Sequence, residues 1–316
     1  MNVEIKQYYP NNHNKVFFVN NGYRKHYLYF DNADSLNGVI LFCVVMFNDI
    51  EINWNCDTEF WKEWLDYYCT YSGQKKKITF VGDRIPIEES KAYNFGGAVM
   101  FSGGKDSALA LNLKHNSVAL IFDAQHYYYD VSYISNAEHP IEYFTSSIDN
   151  EMYHCNKHLR GLLHLELILP IINRYKRTYM GIEKEVWFND KTPMLYNMPK
   201  YRELLMRYDL DFDSPVKHLD SREILKKLTD NEIKFVKCNR PGDDFCYHCE
   251  KCFTYFLMGC NKPEHGFDRT KFLTEHPKLA DHRDVHKTIN TIVKDDRSIN
   301  FLHHIAVEYK YLRNDI

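Results

Sequence analysis

The chain has 316 residues, with 40 Lys+Arg against 43 Asp+Glu, a formal net charge of -3 and a hydrophobic fraction of 44%. That length buries a full core without disulfide or metal staples, and the near-balanced charge offers no global attraction to nucleic acid or an anionic membrane. The longest apolar run, Val39–Phe47, falls well short of the roughly 20 residues a helix needs to cross a bilayer, and no charged-then-apolar leader opens the sequence, so no membrane association and a cytoplasmic location are expected.

Residues 1–93 read as a small α+β accessory unit. Val16–Val19, Lys25–Phe30, Val39–Phe47 and Ile78–Val81 have the composition of strands, with Asn21-Gly22 as a turn signal between the first two. Phe60, Trp61, Trp64, Leu65 and Tyr68 recur at helical spacing over Thr58–Tyr71, and Asp57 is placed to cap that helix. The aromatic stripe reads as core. No chemistry attaches to the unit, and a contact with a protein partner is the role left open for it.

Residues 94–316 carry the chemistry. Gly97-Ala98-Val99-Met100 has the short, bounded form of a buried strand, and Ala108-Leu109-Ala110-Leu111 has high helix propensity. Between them lies Phe101-Ser102-Gly103-Gly104-Lys105-Asp106-Ser107. A glycine pair lets bare backbone N–H groups face an anion, which the positive end of the following helix also attracts. Ser102 and Ser107 add hydroxyl donors and Lys105 a fixed positive charge, so the loop suits a polyphosphate. It is not the G-x-x-x-x-G-K-[ST] loop, because Asp106 follows the lysine and Val99 stands where the first glycine belongs.

Strands and helices then alternate, which argues for a parallel sheet covered by helices. Val99–Phe101, Val118–Asp123, Ile141–Thr145 and Thr178–Ile182 are the strand candidates, and His158–Tyr175 reads as a buried helix kinked at Pro170. Ser221–Leu228 is a short amphipathic helix with Asp220 as its cap and Ile224, Leu225 and Leu228 facing inward. The tail after His265 has a polar, helical character.

Cys238, Cys246, Cys249 and Cys252 form C-x7-C-x2-C-x2-C. The short spacings let neighbouring thiolates converge on one ion, and Pro241-Gly242 lets the longer segment return to close a tetrahedron. A closed four-cysteine set suits structural Zn²⁺ first. An iron–sulfur cluster and thiol chemistry by one C-x-x-C pair are the other readings.

The Ser102–Ser107 loop looks like the PP-loop of the ATP pyrophosphatase superfamily, whose enzymes cleave ATP between its α and β phosphates. A phosphate loop first and a cysteine cluster last resembles the QueC-like 7-cyano-7-deazaguanine synthases within it. Phe122-Asp123-Ala124-Gln125-His126 is similar to that family's F-D-x-G-Q-x-H stretch with one glycine missing. Ser214-Pro215-Val216 and Leu219-Asp220-Ser221-Arg222-Glu223-Ile224 resemble its T-P-L and L-S-K-x-E-I segments, and Gly242–Cys252 resembles its C-G-x-C-x-x-C end. The resemblance spans residues 97–260, approximately, and omits the N-terminal unit. Lys105, where the family has an aliphatic residue, and Tyr247, where it has glycine, depart from the pattern.

The resemblance implies an α/β fold of the PP-loop type and a ligase that adenylates a carboxylate on a 7-deazaguanine-type substrate, releasing pyrophosphate. Ammonia or a protein amine then takes the acyl group, and conjugation to a protein would suit an antiphage role. ATP, Mg²⁺ and Zn²⁺ are the implied cofactors. Ser102, Lys105, Asp106 and Ser107 are the implied catalytic set, with Gly103, Gly104 and Asp123 completing the nucleotide site; Asp106 would place Mg²⁺ or cap its helix. A guanine-like base needs an acceptor for its N–H groups, for which Asp123, Glu183 and Asp190 are candidates, with Trp187 and Phe188 to stack on it and Arg160 to meet a carboxylate or phosphate. Two other classes remain: a tRNA-thiolating enzyme, which needs a local basic surface such as Lys75–Lys77 or Arg174–Arg177, and a non-catalytic nucleotide-binding module.

Overall fold

The computed structural model describes residues 2–11, 14–20, 25–31, 35–53, 56–81, 96–122, 139–146, 175, 177–188, 197–236, 246–248, 252, 255, 268, 271 and 274. The strands are β1 (Asn2–Asn11), β2 (Asn14–Asn20), β3 (Lys25–Asp31), β4 (Asp49–Asn53), β5 (Lys77–Val81), β6 (Gly97–Met100), β7 (Ser117–Phe122), β8 (Ile141–Ser146), β9 (Arg177–Met180) and β10 (Asp211–Asp213). The helices are α1 (Ser35–Met46), α2 (Thr58–Ser72), α3 (Lys105–Leu113), α4 (Lys184–Trp187), α5 (Met198–Met206) and α6 (Ser221–Asp230).

The strands form one sheet in the order β10-β9-β6-β7-β8-β3-β2-β1-β4-β5. The first five in that order run parallel, as expected for an α/β chain. Alternate residues of these strands feed two cores, because successive side chains of a strand point to opposite faces. Ala98, Met100, Val118, Leu120 and Phe212 meet α1, α2 and α5 on one face. Val99, Phe101, Ala119, Ile121 and Tyr179 meet α3 and α6 on the other. The five-strand parallel part of the sheet is flanked by helices on both faces, in an α/β arrangement compatible with a Rossmann-like fold.

Residues of the 1–93 region take part in this core. Strand β3 pairs antiparallel with β8, matching Phe30 with Ser146 and Asp31 with Thr145, so the sheet runs on without a break. On α2, the expected stripe is buried, and Trp61 and Trp64 are fully enclosed. The Tyr67 hydroxyl donates to the Asn197 carbonyl at 3.0 Å, and the Tyr67 and Tyr201 rings stand 5.3 Å apart, joining α2 to α5. Asp57 caps α2 as its position in the sequence suggests, accepting from the Glu59 and Phe60 amides at 3.2 Å.

One expected strand is a helix. Val39–Phe47 falls on α1 and the residue beyond it, with Val39 to Val44 no more than 1% exposed. A helix enclosed on all sides needs an apolar residue at every position, so it carries no 3.6-residue period and reads like a buried strand. Its carboxyl end is closed from outside the helix: the Lys76 ammonium donates to the Val45 and Phe47 carbonyls at 2.7 and 2.8 Å. That cation satisfies carbonyls the helix leaves open and suits its negative end. Strands β1, β4 and β10 and helices α4 and α5 have no counterpart among the sequence expectations. The expected 158–175 helix, apart from Tyr175, and the Asn21-Gly22 turn lie outside the described residues, as does the tail apart from Asp268, Lys271 and Thr274.

Strand order reverses between β6 and β9, since the chain moves from β6 to β7 and β8 on one side and later to β9 and β10 on the other. Open α/β sheets bind ligands at the carboxyl ends of strands beside such a switch point. There Gly181 follows β9 and lies flat against the first turn of α3. A Cβ on it would come within 2.3 Å of the Asp106 carbonyl carbon and 2.4 Å of the Ser107 amide nitrogen. These are backbone atoms and cannot rotate aside. Gly181→Ala is therefore expected to destabilise the chain by about 2–3 kcal/mol, read as a lowered urea midpoint with an unchanged denaturant slope.

Candidate functional site

The Phe101–Gly104 loop leaves β6 at the switch point and enters α3. Gly103 has φ +72°, a left-handed backbone that glycine adopts without a Cβ clash, and it turns the loop sharply into the helix. The carbonyl oxygens of the two loop glycines are occupied from within the fold. Val236 N–H donates to the Gly103 carbonyl at 2.6 Å, and the Ser107 hydroxyl and the Ala108 amide donate to the Gly104 carbonyl at 3.1 and 2.9 Å. The Ser107 hydroxyl also accepts from the Ser102 amide at 3.3 Å and lies 3.2 Å from the Ser102 hydroxyl. No side chain caps α3 at Gly104. A loop whose glycine carbonyls are engaged inside and whose helix end lacks a side-chain cap is suited to an anion.

Lys105 is the first residue of α3, and its ammonium sits between two carboxylates: Asp106 Oδ1 at 2.7 Å and Glu183 Oε2 at 2.8 Å. Burial by itself would lower the lysine pKa, but Asp106 and Glu183 together outweigh it and hold the group above its ordinary value, so Lys105 stays charged. Glu183 lies just past β9, and the polypeptide around it is anchored. The Ser214 hydroxyl accepts from the Ile182 amide at 3.0 Å and donates to the Ile182 carbonyl at 2.7 Å, while the Lys184 amide donates to the Leu219 carbonyl at 3.0 Å. The Ser221 hydroxyl, at the start of α6, donates to Glu183 Oε2. That helix is closed by a reciprocal pair: Asp220 accepts from the Glu223 amide at 2.8 Å, and Glu223 accepts from the Asp220 amide at 2.8 Å.

The structure thus brings Ser102, Gly103, Gly104, Lys105, Asp106, Ser107 and Glu183 together. Asp123, Arg160 and Asp190 lie outside the described residues. Trp187, a candidate for stacking on a base, is instead a core residue: it is 3% exposed, with its ring 5.7 Å from that of Phe212. Phe188 is exposed and lies 5.9 Å from the His218 ring. Gly181, Ser214 and Ser221 support the site without having been singled out for it. Ser214 and Ser221 do fall within the two segments quoted for the family resemblance, whereas nothing in the sequence around Gly181 announces the close approach it permits.

Of the four clustered cysteines, Cys246 and Cys252 are described, and Cys238 and Cys249 lie outside the described residues. The Cys246 and Cys252 sulfurs stand 3.8 Å apart. Two thiolates on one tetrahedral ion with metal–sulfur bonds of about 2.3 Å would stand about 3.8 Å apart, so this pair fits a shared metal. Tyr247, where the resembling family has glycine, has φ +60°, the left-handed conformation that glycine adopts most readily. His248 lies 6% exposed, with its Nδ1 against the Cys246 carbonyl, so that nitrogen is turned to the backbone. Val236, two positions before Cys238 in the sequence, is the residue that bonds to the Gly103 carbonyl, and the Tyr255 ring packs on Phe235 with centroids 6.1 Å apart.

No family model matches the chain, and no curated protein matches it.

Lys105→Met would leave the Asp106 and Glu183 carboxylates facing each other with their shared cation gone. The expected loss is about 2–3 kcal/mol at pH 7, less than for a fully buried pair because water reaches Asp106. Urea denaturation of both proteins at pH 7 measures it.

Proposed function

We propose that the chain is a QueC-like ligase of the PP-loop type, adenylating a carboxylate on a 7-deazaguanine-type substrate with ATP and passing the acyl group to ammonia or a protein amine. The observation that carries this reading is the Ser102–Ser107 loop at the sheet's switch point, with the Gly103 and Gly104 carbonyls engaged inside the fold, its helix end uncapped by a side chain and a charged lysine beside it. The choice of a deazaguanine carboxylate rests on the sequence resemblance.

In the first step a substrate carboxylate oxygen attacks the α-phosphorus of ATP, and the bond to the β-phosphate oxygen breaks. Pyrophosphate leaves carrying the charge. Loop amides and the Ser102 hydroxyl are the donors for that charge, Ser107 holds Ser102 in place, and Lys105 supplies the cation. In the second step a nitrogen lone pair attacks the acyl carbon and AMP leaves with the bonding electrons. A carboxylate alone resists that attack because oxide is a poor leaving group; the adenylate replaces it with a good one. Mg²⁺ carried with the nucleotide would neutralise phosphate charge, and Asp106 is the carboxylate placed to hold it.

Glu183 is committed to Lys105 and Ser221, which favours a supporting role over direct reading of a base. The cysteine cluster would hold Zn²⁺ away from the reacting atoms, bracing the segment that returns through Val236 to the loop.

Incubating the purified chain with ATP, Mg²⁺ and 7-carboxy-7-deazaguanine, with and without ammonia, should yield AMP, pyrophosphate and an adenylated or amidated base by mass spectrometry. Absence of both AMP and the adenylate in zinc-loaded protein would sink the proposal. Ser102→Ala should lower AMP formation about 100-fold, the usual cost of losing one donor to a developing anion. Metal analysis should find about one zinc per chain, lost on Cys252→Ser. A brown protein carrying iron and sulfide would move the reading to a thiolating enzyme.

A further inference from the structure

The two carboxylates that hold Lys105 are of unequal standing. The Glu183 side chain is 12% exposed, its Oε2 also accepts from Ser221, and the backbone on either side of it is tied down through Ser214 and Leu219. Asp106 is 30% exposed and stands on the first turn of α3, beside the loop. A phosphate oxygen arriving at the loop competes for the same ammonium. The partner that yields is the one with more access to water and no such anchoring of its backbone shown across the switch point.

We propose that Glu183 is a positioning residue that keeps Lys105 at the loop, and that Asp106 is the partner Lys105 exchanges for a phosphate oxygen when a nucleoside triphosphate binds. This rests on reading the loop as a triphosphate site. The ammonium has three N–H donors, so it turns one towards the phosphate while another stays on Glu183. Asp106, once displaced, lies next to the phosphates and becomes available to the divalent cation that accompanies them. The acid directly after the lysine thereby has a role in both states: it shares the lysine's charge before the nucleotide arrives and holds the metal after it. Glu183 has one role throughout, and α6 enforces it through Ser221.

The proposal makes the two carboxylates differ in sign where simple electrostatics makes them alike. Removing either negative charge should strengthen attraction for a polyanion by a similar amount if charge alone matters. If the roles are as proposed, calorimetric titration with α,β-methylene-ATP in metal-free buffer gives opposite results. Asp106→Asn removes the competitor and should tighten binding roughly tenfold, about 1.4 kcal/mol. Glu183→Gln releases the anchor and should weaken it at least threefold or so, and Glu183→Asp should recover part of that loss. With Mg²⁺ present, Asp106→Asn should bind more weakly than wild type, having lost a metal ligand.

In a Lys105→Met background, Glu183→Gln should cause no further change. Ser221→Ala, which loosens Glu183 without altering charge, should weaken binding by about twofold and serves if Glu183→Gln fails to fold. Tightening by Glu183→Gln equal to that by Asp106→Asn, or a Glu183→Gln effect that persists without the lysine, overturns the assignment. AMP release assayed on the same wild-type preparation separates the two claims. AMP formation with variants of like sign removes this inference alone; variants of opposite sign without AMP remove the ligase reading and leave this one standing. A wild-type chain that binds no α,β-methylene-ATP even with Mg²⁺ removes both.

Discussion

The Lys105 ammonium joins two connections that leave neighbouring parallel strands, and the geometry of the loop follows from that join. It leaves β6 through the glycine turn and meets, across the switch point, a carboxylate carried just past β9. The join forms only because Gly181 lets the chain after β9 lie against the first turn of α3. Steric contact sets the distance and charge sets the direction. Neither suffices alone: without the close approach Lys105 would lack its second carboxylate, and without the lysine two carboxylates would repel across the gap.

Around this join the fold commits its secondary anchors in one direction. Ser214 grips both polar groups of the Ile182 backbone, Ser221 tethers Glu183 to α6, and Val236 closes on the Gly103 carbonyl. All three come from residues after β10. The described residues after β10 therefore brace the Ser102–Ser107 loop without adding a strand to the sheet. On the opposite face, α1 and α2 enclose the sheet with aromatic and aliphatic side chains, and Lys76 supplies the polar end that α1 lacks.

Several features were legible because they depend on near neighbours in sequence. The Asp57 and Asp220 caps act within one helical turn, and the inward faces of α2 and α6 repeat at a period local geometry imposes. The Ser102–Ser107 loop is a continuous motif. Residues that act over distance left weaker traces or none. Lys105 reads in the sequence as a fixed positive charge for phosphate, and nothing near it announces the two carboxylates that hold it, one of them 78 positions away. Trp187 was read as a stacking surface because nothing adjacent to it betrays Phe212. Helix α1 was read as a strand because complete enclosure erases the amphipathic period.

By itself the sequence determined the strand, glycine turn and helix that follow Gly97, the inward faces of α2 and α6 and the cysteine spacing, since each is written in residues a few positions apart. Tertiary structure alone decided that residues before the loop extend the same sheet and core, that Gly181 is the point of closest approach, and that Glu183 stands opposite Lys105. The reason is physical. A local pattern reports what a segment can form, whereas strand order and close backbone contact arise only when distant segments bury their apolar faces against one another, and the pairing of charges follows from where that packing leaves them.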